Sequence, residues 1–201
     1  MKKESMERAM NAFAIESESL LETAKVLDEK EFAKAVKALV KAPRIASTGC
    51  GHSGIAARHF AHLMCCIERP ARFLSPAEAP HGALGFLQKG DVLVWASRGG
   101  KTDELTKILA IAKEKGATII GVTEALDSPL AQQSDILLAM KVTKETDRFN
   151  CQGTTSFAVT NAIFDALQTA VMEESGFVNE EFAVIHPNGA VGKRLNKKEN
   201  K

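Results

Sequence analysis

Arg44-Ile45-Ala46-Ser47-Thr48-Gly49-Cys50-Gly51-His52-Ser53-Gly54 and Asp91-Val92-Leu93-Val94-Trp95-Ala96-Ser97-Arg98-Gly99-Gly100-Lys101-Thr102 share one pattern. In each, a short apolar run leads into a turn of glycine and hydroxyl residues, and a segment with helical apolar spacing follows. The second run lacks alternation, as expected of a strand buried on both faces. A turn at a helix start leaves backbone N–H groups pointing outward, which makes a ready site for an anion. Two such turns on successive strand–turn–helix units, rich in hydroxyls, point to a sugar phosphate held between strand ends.

The same rhythm extends outward from these units. Strands are predicted at 44–48, 71–74, 91–96, 117–123 and 135–140. Helices are predicted at 53–66, 102–115 and 153–174, with a short one opened by Ser128-Pro129. Gly116 and Gly176 read as helix ends. This alternation predicts an α/β fold: a five-stranded, mostly parallel sheet flanked by helices in a Rossmann-like or flavodoxin-like three-layer sandwich. In such a sheet, ligands bind outside the carboxyl ends of the strands where strand order reverses. Ahead of the sheet, residues 4–27 predict a long helix with an apolar stripe of Met6, Met10, Phe13, Leu20, Leu21, Ala24 and Leu27. Asp28 reads as the cap of a second helix running to Val40, with Phe32, Val36, Leu39 and Val40 facing inward. This N-terminal helical extension covers either a sheet face or a partner subunit. One domain is expected, with helices over 1–42, the α/β core over 43–195 and a solvated tail over 196–201.

Composition narrows the function classes. The chain is 45% hydrophobic and 25% charged, with a net charge of +1 and a pI near 7.7. No nucleic-acid or acidic-membrane surface is therefore expected. The N-terminal stretch is interrupted by Glu16, Glu18 and Glu22, which fits neither a signal peptide nor a membrane span. Cys50, Cys65, Cys66 and Cys151 show no paired spacing and suit a reducing cytoplasm. His59, His62 and Cys66 share one helix face and come nearest to a metal set. That face is also rich in Ala, Phe and Leu, so packed core is expected there and no metal.

The first turn matches Gly-x-Gly-x-x-Gly at Gly49, Gly51 and Gly54, which alone is a weak dinucleotide signal. A dinucleotide site needs an acid at the end of the next strand, where Ser75-Pro76 stands instead. Gly51 and Ser53 offer N–H and hydroxyl donors at the helix start, and Ser47 and Thr48 offer hydroxyls one turn earlier. The second turn offers Ser97, Thr102, the backbone of Gly99 and Gly100, and the cations Arg98 and Lys101. Each charge-assisted hydrogen bond adds roughly 1.5–3 kcal/mol net. Three or four suffice for roughly millimolar to micromolar affinity.

With these turns, the segment Glu78-Ala79-Pro80-His81-Gly82-Ala83-Leu84-Gly85, Thr154-Thr155-Ser156 and His186-Pro187-Asn188-Gly189-Ala190-Val191-Gly192, the chain resembles the SIS (sugar isomerase) domain, most closely that of the arabinose 5-phosphate isomerases. The resemblance runs from about residue 30 to 195. It implies a homodimer or homotetramer that interconverts an aldose phosphate and a ketose phosphate through an enediol, with no metal or organic cofactor. It implies functional residues at His52, His81, Glu104, Glu145 and His186, and phosphate or sugar contacts that include Thr154 and Thr155. The residue types fit, because aldose–ketose isomerisation needs a base to move a proton between adjacent carbons and an acid to polarise the carbonyl. His186 and Glu145 are expected to share the proton transfer, with His81 assisting ring opening. Glu104 is expected to orient a hydroxyl or act as an alternative base. His186 lies far from the strands in sequence and is open to supply across a subunit interface.

The chain departs from these isomerases at His52, where they carry Lys, and at Gly99 and Lys101, where they carry Ser and an acid. It ends soon after His186, so the nucleotide-sensing CBS repeats of many of them are not expected. A non-catalytic phosphosugar-sensing module is the alternative reading.

Overall fold

The computed structural model describes residues 1–196. Two helices, α1 (Lys3–Val26) and α2 (Glu29–Lys41), lead into β1 (Ile45–Thr48), α3 (Gly51–Cys65) and β2 (Ala71–Phe73). Two 3-10 turns (Ala79–His81 and Ala83–Phe86) precede β3 (Val92–Ala96), α4 (Asp103–Glu114) and β4 (Thr118–Thr123). Then come α5 (Pro129–Gln133), β5 (Ile136–Ala139), the long α6 (Thr155–Ser175), α7 (Asn179–Ile185) and α8 (Gly189–Leu195).

The five strands are all parallel in the order β2-β1-β3-β4-β5. Ile45 stands between Ala71 of β2 and Val92 of β3, so the chain leaves β1 toward one edge and returns on its other side. The crevice between the carboxyl ends of β1 and β3 is therefore the switch point of this doubly wound sheet. Both glycine turns open into it. β3 reads as an unbroken apolar run because its alternate residues feed two cores. Val92, Val94, Ile120 and Val122 pack under α2, α3 and α6 with Leu39, Phe60, Met64 and Phe164. Leu93, Trp95 and Ile119 pack on the opposite face under α4 and α5 with Leu105, Ile108 and Leu130.

One question the sequence left open is answered here and one expectation is corrected. The apolar stripe of α1 from Met6 to Leu21 faces outward, and the helix lies on the body by a different face, through Ile15, Ser19 and Thr23. Ser19 Oγ meets Thr143 Oγ1 at 3.0 Å, and Thr23 Oγ1 donates to the Lys141 carbonyl at 2.9 Å. Met6, Met10, Phe13 and Leu21 are left 47–69% exposed. His59 and His62, expected in packed core, are likewise exposed. His59 turns toward Asp165 (3.7 Å), and His62 Nε2 lies 3.6 Å from Cys66 Sγ. Among the described residues, no set of three potential ligands converges for a metal, and no helix is long and apolar enough to cross a membrane. The expected tail lies outside the described residues except for Asn196.

Candidate active site

The helices that start at the crevice, α3 and α4, lack side-chain caps, as do α1 and α8 elsewhere in the fold. Asp28 caps α2 by accepting from the N–H groups of Lys30 and Glu31, and Ser128 caps α5 by accepting from that of Ala131. The first N–H groups of α3 and α4 remain as donors, and the positive ends of both helix dipoles point the same way.

The turns themselves are tightly built. Gly49 fits against the Ser53 backbone, where a Cβ would stand 2.9 Å from the carbonyl, and Gly54 fits against the Gly49 carbonyl. In the second turn, the Gly100 N–H donates to Ser97 Oγ (3.1 Å), which also meets Thr102 Oγ1 (3.1 Å). Gly100 adopts φ +61°, and a Cβ there would collide with the Ser128 side chain. Ser47 and Thr48 do not reach the crevice with their hydroxyls. These donate to the Ala57 and Leu74 carbonyls at 2.6 and 2.8 Å and hold β1 in place.

Two cavities flank the start of α3. One, of about 430 Å³, is lined by Gly49, Cys50, Gly51, Arg58, Ser75 and Glu104, among others. Burial pushes the Cys50 thiol pKa up, and the Glu104 charge adds to the shift. The other, of about 760 Å³, is lined by Glu16, His52, His59, Gly153, Thr154 and Phe157, among others. The His52 ring rests on Gly153, where a Cβ would stand 2.9 Å from it, and meets Phe157 edge-on.

Glu145 is the most constrained of the expected site residues. It is 3% exposed. Its Oε1 accepts from Arg98 at 2.7 Å, while Oε2 accepts from Thr154 N–H (2.9 Å), Thr154 Oγ1 (3.1 Å) and Ser156 N–H (3.2 Å). Burial alone would raise its pKa. Hydrogen bonds from Ser156 and Thr154, together with the Arg98 charge, outweigh this and hold the carboxyl below its ordinary value of 4.5. Glu145 thus caps α6 as a saturated carboxylate, a poor arrangement for a general base. Its loop is self-organised: Asn150 Oδ1 accepts from Glu145 N–H, and the Asp147 carboxylate accepts from the N–H groups of Phe149, Cys151 and Gln152.

The structure redistributes the other expected residues. Arg98 does not stand free for an anion, because its guanidinium bridges Glu145 and Glu124 (2.9 Å). Lys101 is exposed beside the second turn. Thr155 is fully buried on the inner face of α6, so it offers no hydroxyl to a ligand. Thr154 lines the larger cavity, but its hydroxyl is engaged with Glu145 and Thr146. His81 ends the first 3-10 turn, exposed and lining neither cavity. His186 lies at the far end of α3, in a shallow cavity with His62, Cys65 and Cys66. That end is separated from the first turn by the 15 residues of α3, about 20 Å along its axis. Sequence reasoning missed Arg58, Glu124 and Phe157. Arg58 had one signal, its place one helical turn after Gly54.

Comparison with known proteins follows the same lines. The SIS domain family matches residues 38–170. Arabinose 5-phosphate isomerase KdsD of Pseudomonas aeruginosa is 37% identical over 166 residues, covering 82% of this chain and 51% of that protein. The chain thus spans about half the length of the curated relatives it matches. A Listeria monocytogenes structure assigned as a sugar-phosphate isomerase superposes with a TM-score of 0.90 at 39% identity, covering 94% of this chain and 100% of that one. An Escherichia coli CFT073 protein in complex with arabinose 5-phosphate gives a TM-score of 0.85 at 28% identity, covering 93% and 100%.

Proposed function

The chain belongs to the SIS domain family, and from that premise we propose that it is an isomerase of a phosphorylated aldose, with arabinose 5-phosphate as the leading substrate. The observation that carries this reading is the convergence of two helix starts without side-chain caps, those of α3 and α4, at the switch point of the sheet. A phosphate dianion satisfies those donors, and Lys101 adds charge beside them. The relatives support the substrate class, KdsD by its name and the E. coli structure by its bound arabinose 5-phosphate.

With the phosphate on the second turn, the sugar runs across the start of α3 toward Glu104. Glu104, exposed in the smaller cavity, takes the proton from C2 as the electron pair forms the C1–C2 double bond of an enediol. The C1 oxygen gains a proton from an acid; the carbon-bound proton then returns at C1 while the O2 hydroxyl gives its proton back to that acid's conjugate base, leaving the C2 carbonyl of the ketose. His186 of a second copy is the acid in this reading, because His186 of the same copy lies at the wrong end of α3. His81 assists ring opening, and His52 borders the sugar from the larger cavity. Glu145 acts by position, holding Arg98 and the start of α6 rather than moving the proton. The chain works as a homo-oligomer, and its four free cysteines fit a reducing cytoplasm.

Mixing two inactive variants tests the shared site. His186→Ala and Glu104→Gln subunits, mixed and reassembled as random dimers, should regain about a quarter of wild-type sites. No regain in mixtures shown to exchange subunits would place both residues in one copy and overturn this division of labour.

A further inference from the structure

Arg98 is the cation expected at the crevice, and Glu124 and Glu145 occupy it. A second guanidinium lines the smaller cavity without such partners. Arg58 borders that space of about 430 Å³ together with Gly54, Phe73, Ser75 and Glu104. Among the described residues it forms no ion pair with Glu104 or any other carboxylate. Its partner is aromatic: Arg58 Cζ lies 4.3 Å from the centre of the Phe73 ring. That ring rests on the first glycine turn, since a Cβ on Gly54 would stand 3.8 Å from Phe73 Cζ. The ring attracts the cation and leaves its N–H donors for an oxygen ligand.

Helix geometry sets where the charge stands. Arg58 is seven residues past Gly51, the first residue of α3, or about 10 Å along the axis. A helical side chain leans back over the turn N-terminal to it, which brings the guanidinium toward Gly54 and Ile55, its neighbours in the cavity wall. Cys50, the other titratable group of that wall, stays a neutral thiol because burial raises its pKa. The wall therefore carries one anion, Glu104 of α4, and one cation, Arg58 of α3, and the two are not paired. With the phosphate on the second turn beside Lys101, Arg58 faces the opposite end of the sugar. A base and an unpaired cation in one wall suit the end where charge develops during the reaction.

We infer that Arg58 is a substrate-binding residue that holds the C1 oxygen of the aldose and, once Glu104 has taken the C2 proton, the negative charge that develops on that oxygen. The inference rests on the isomerase reading above and gives Arg58 a task separate from that of His186. No proton moves to or from the guanidinium, which stays charged throughout; it stabilises the enediolate until the acid delivers its proton. Two unreactive phosphosugars read this without turnover. Arabinonate 5-phosphate carries a carboxylate at C1, where arabinitol 5-phosphate carries a hydroxyl. By isothermal titration calorimetry, wild type should bind the first about tenfold or more tightly than the second, the factor that one charge-assisted hydrogen bond supplies. Arg58→Gln should abolish or reverse this preference, because the Glu104 charge then opposes the carboxylate unrelieved, and it should leave arabinitol 5-phosphate binding as it was. Arg58→Lys should keep part of the preference, as a cation without the planar fork. Arg58→Gln should also lower kcat on arabinose 5-phosphate by about a hundredfold with a smaller change in KM. Arg58 is exposed, so its Tm should move by less than about 1 °C. Equal binding of the two phosphosugars by wild type, a preference that survives Arg58→Gln, or a loss of arabinitol 5-phosphate binding in Arg58→Gln would each overturn the assignment. Wild type that binds neither phosphosugar would remove the isomerase reading and this assignment with it, whereas turnover undiminished in Arg58→Gln would remove the assignment alone.

Discussion

Replacing Arg98 with Met removes the cation that touches the buried Glu145 carboxylate. The lost contacts are Arg98 to Glu145 at 2.7 Å and Arg98 to Glu124 at 2.9 Å, with the Arg98 side chain 35% and that of Glu145 3% exposed. Breaking a buried pair by removing one partner costs about 3–5 kcal/mol when the remaining charge is stranded. Here three hydrogen bonds from Thr154 and Ser156 persist on Oε2, and Arg98 is partly solvated. The expected loss is therefore smaller, about 2–3 kcal/mol, or about 4–10 °C in Tm for a chain of this size. The pH dependence has a definite sign. Glu145 titrates below its ordinary value when Arg98 is present, so its stabilisation is present above pH 4.5 and is lost as pH falls through the folded pKa. Without Arg98 the folded pKa rises and protonation relieves the stranded charge. The gap between wild type and variant should thus be widest near neutrality and narrow as the solution is acidified. Thermal unfolding at a series of pH values reads both quantities. A Tm loss under about 1 °C at neutral pH, or a gap that stays constant or widens toward acid, would refute the view of Glu145 as an ionised carboxylate held by Arg98.

Other expectations follow from the same geometry. Gly100→Ala should be destabilised by about 3 kcal/mol or more, because a Cβ there meets the Ser128 side chain at a left-handed φ; denaturant unfolding reads this, and a near-neutral result would contradict the described turn. Glu104→Gln should lower kcat by about a hundredfold or more with little change in KM, as expected of a general base, and steady-state kinetics on the sugar phosphate decides it. Glu145→Gln should lower Tm as well as activity, whereas Glu104→Gln should leave Tm nearly unchanged; equal Tm losses would undo the separation of their roles.

The strands were legible in the sequence because a sheet covered on both sides needs unbroken apolar runs, and Val92 to Ala96 supply one. The crevice was legible because glycine and hydroxyl turns recur at the ends of β1 and β3. The orientation of α1 was not. A stripe such as Met6-Met10-Phe13 shows which face is apolar but not whether the chain itself covers it, and here Ser19 and Thr23 do the docking. Nor was the use of Arg98 legible. A guanidinium beside a phosphate turn reads as an anion ligand until the fold brings Glu124 and Glu145, far along the chain, within 3 Å of it. His186 was readable as a functional residue type, but its place at the far end of α3 depends on how the last two helices pack.

The most direct test is to incubate the chain with arabinose 5-phosphate in deuterated water and follow both sugars by NMR. The expected result is conversion to the corresponding ketose phosphate, with solvent deuterium entering at C1 of the ketose and C2 of the recovered aldose, and with both lost in Glu104→Gln. Saturable binding of arabinose 5-phosphate and of other pentose, hexose and heptose phosphates, with neither conversion nor deuterium exchange for any of them, would contradict the isomerase account.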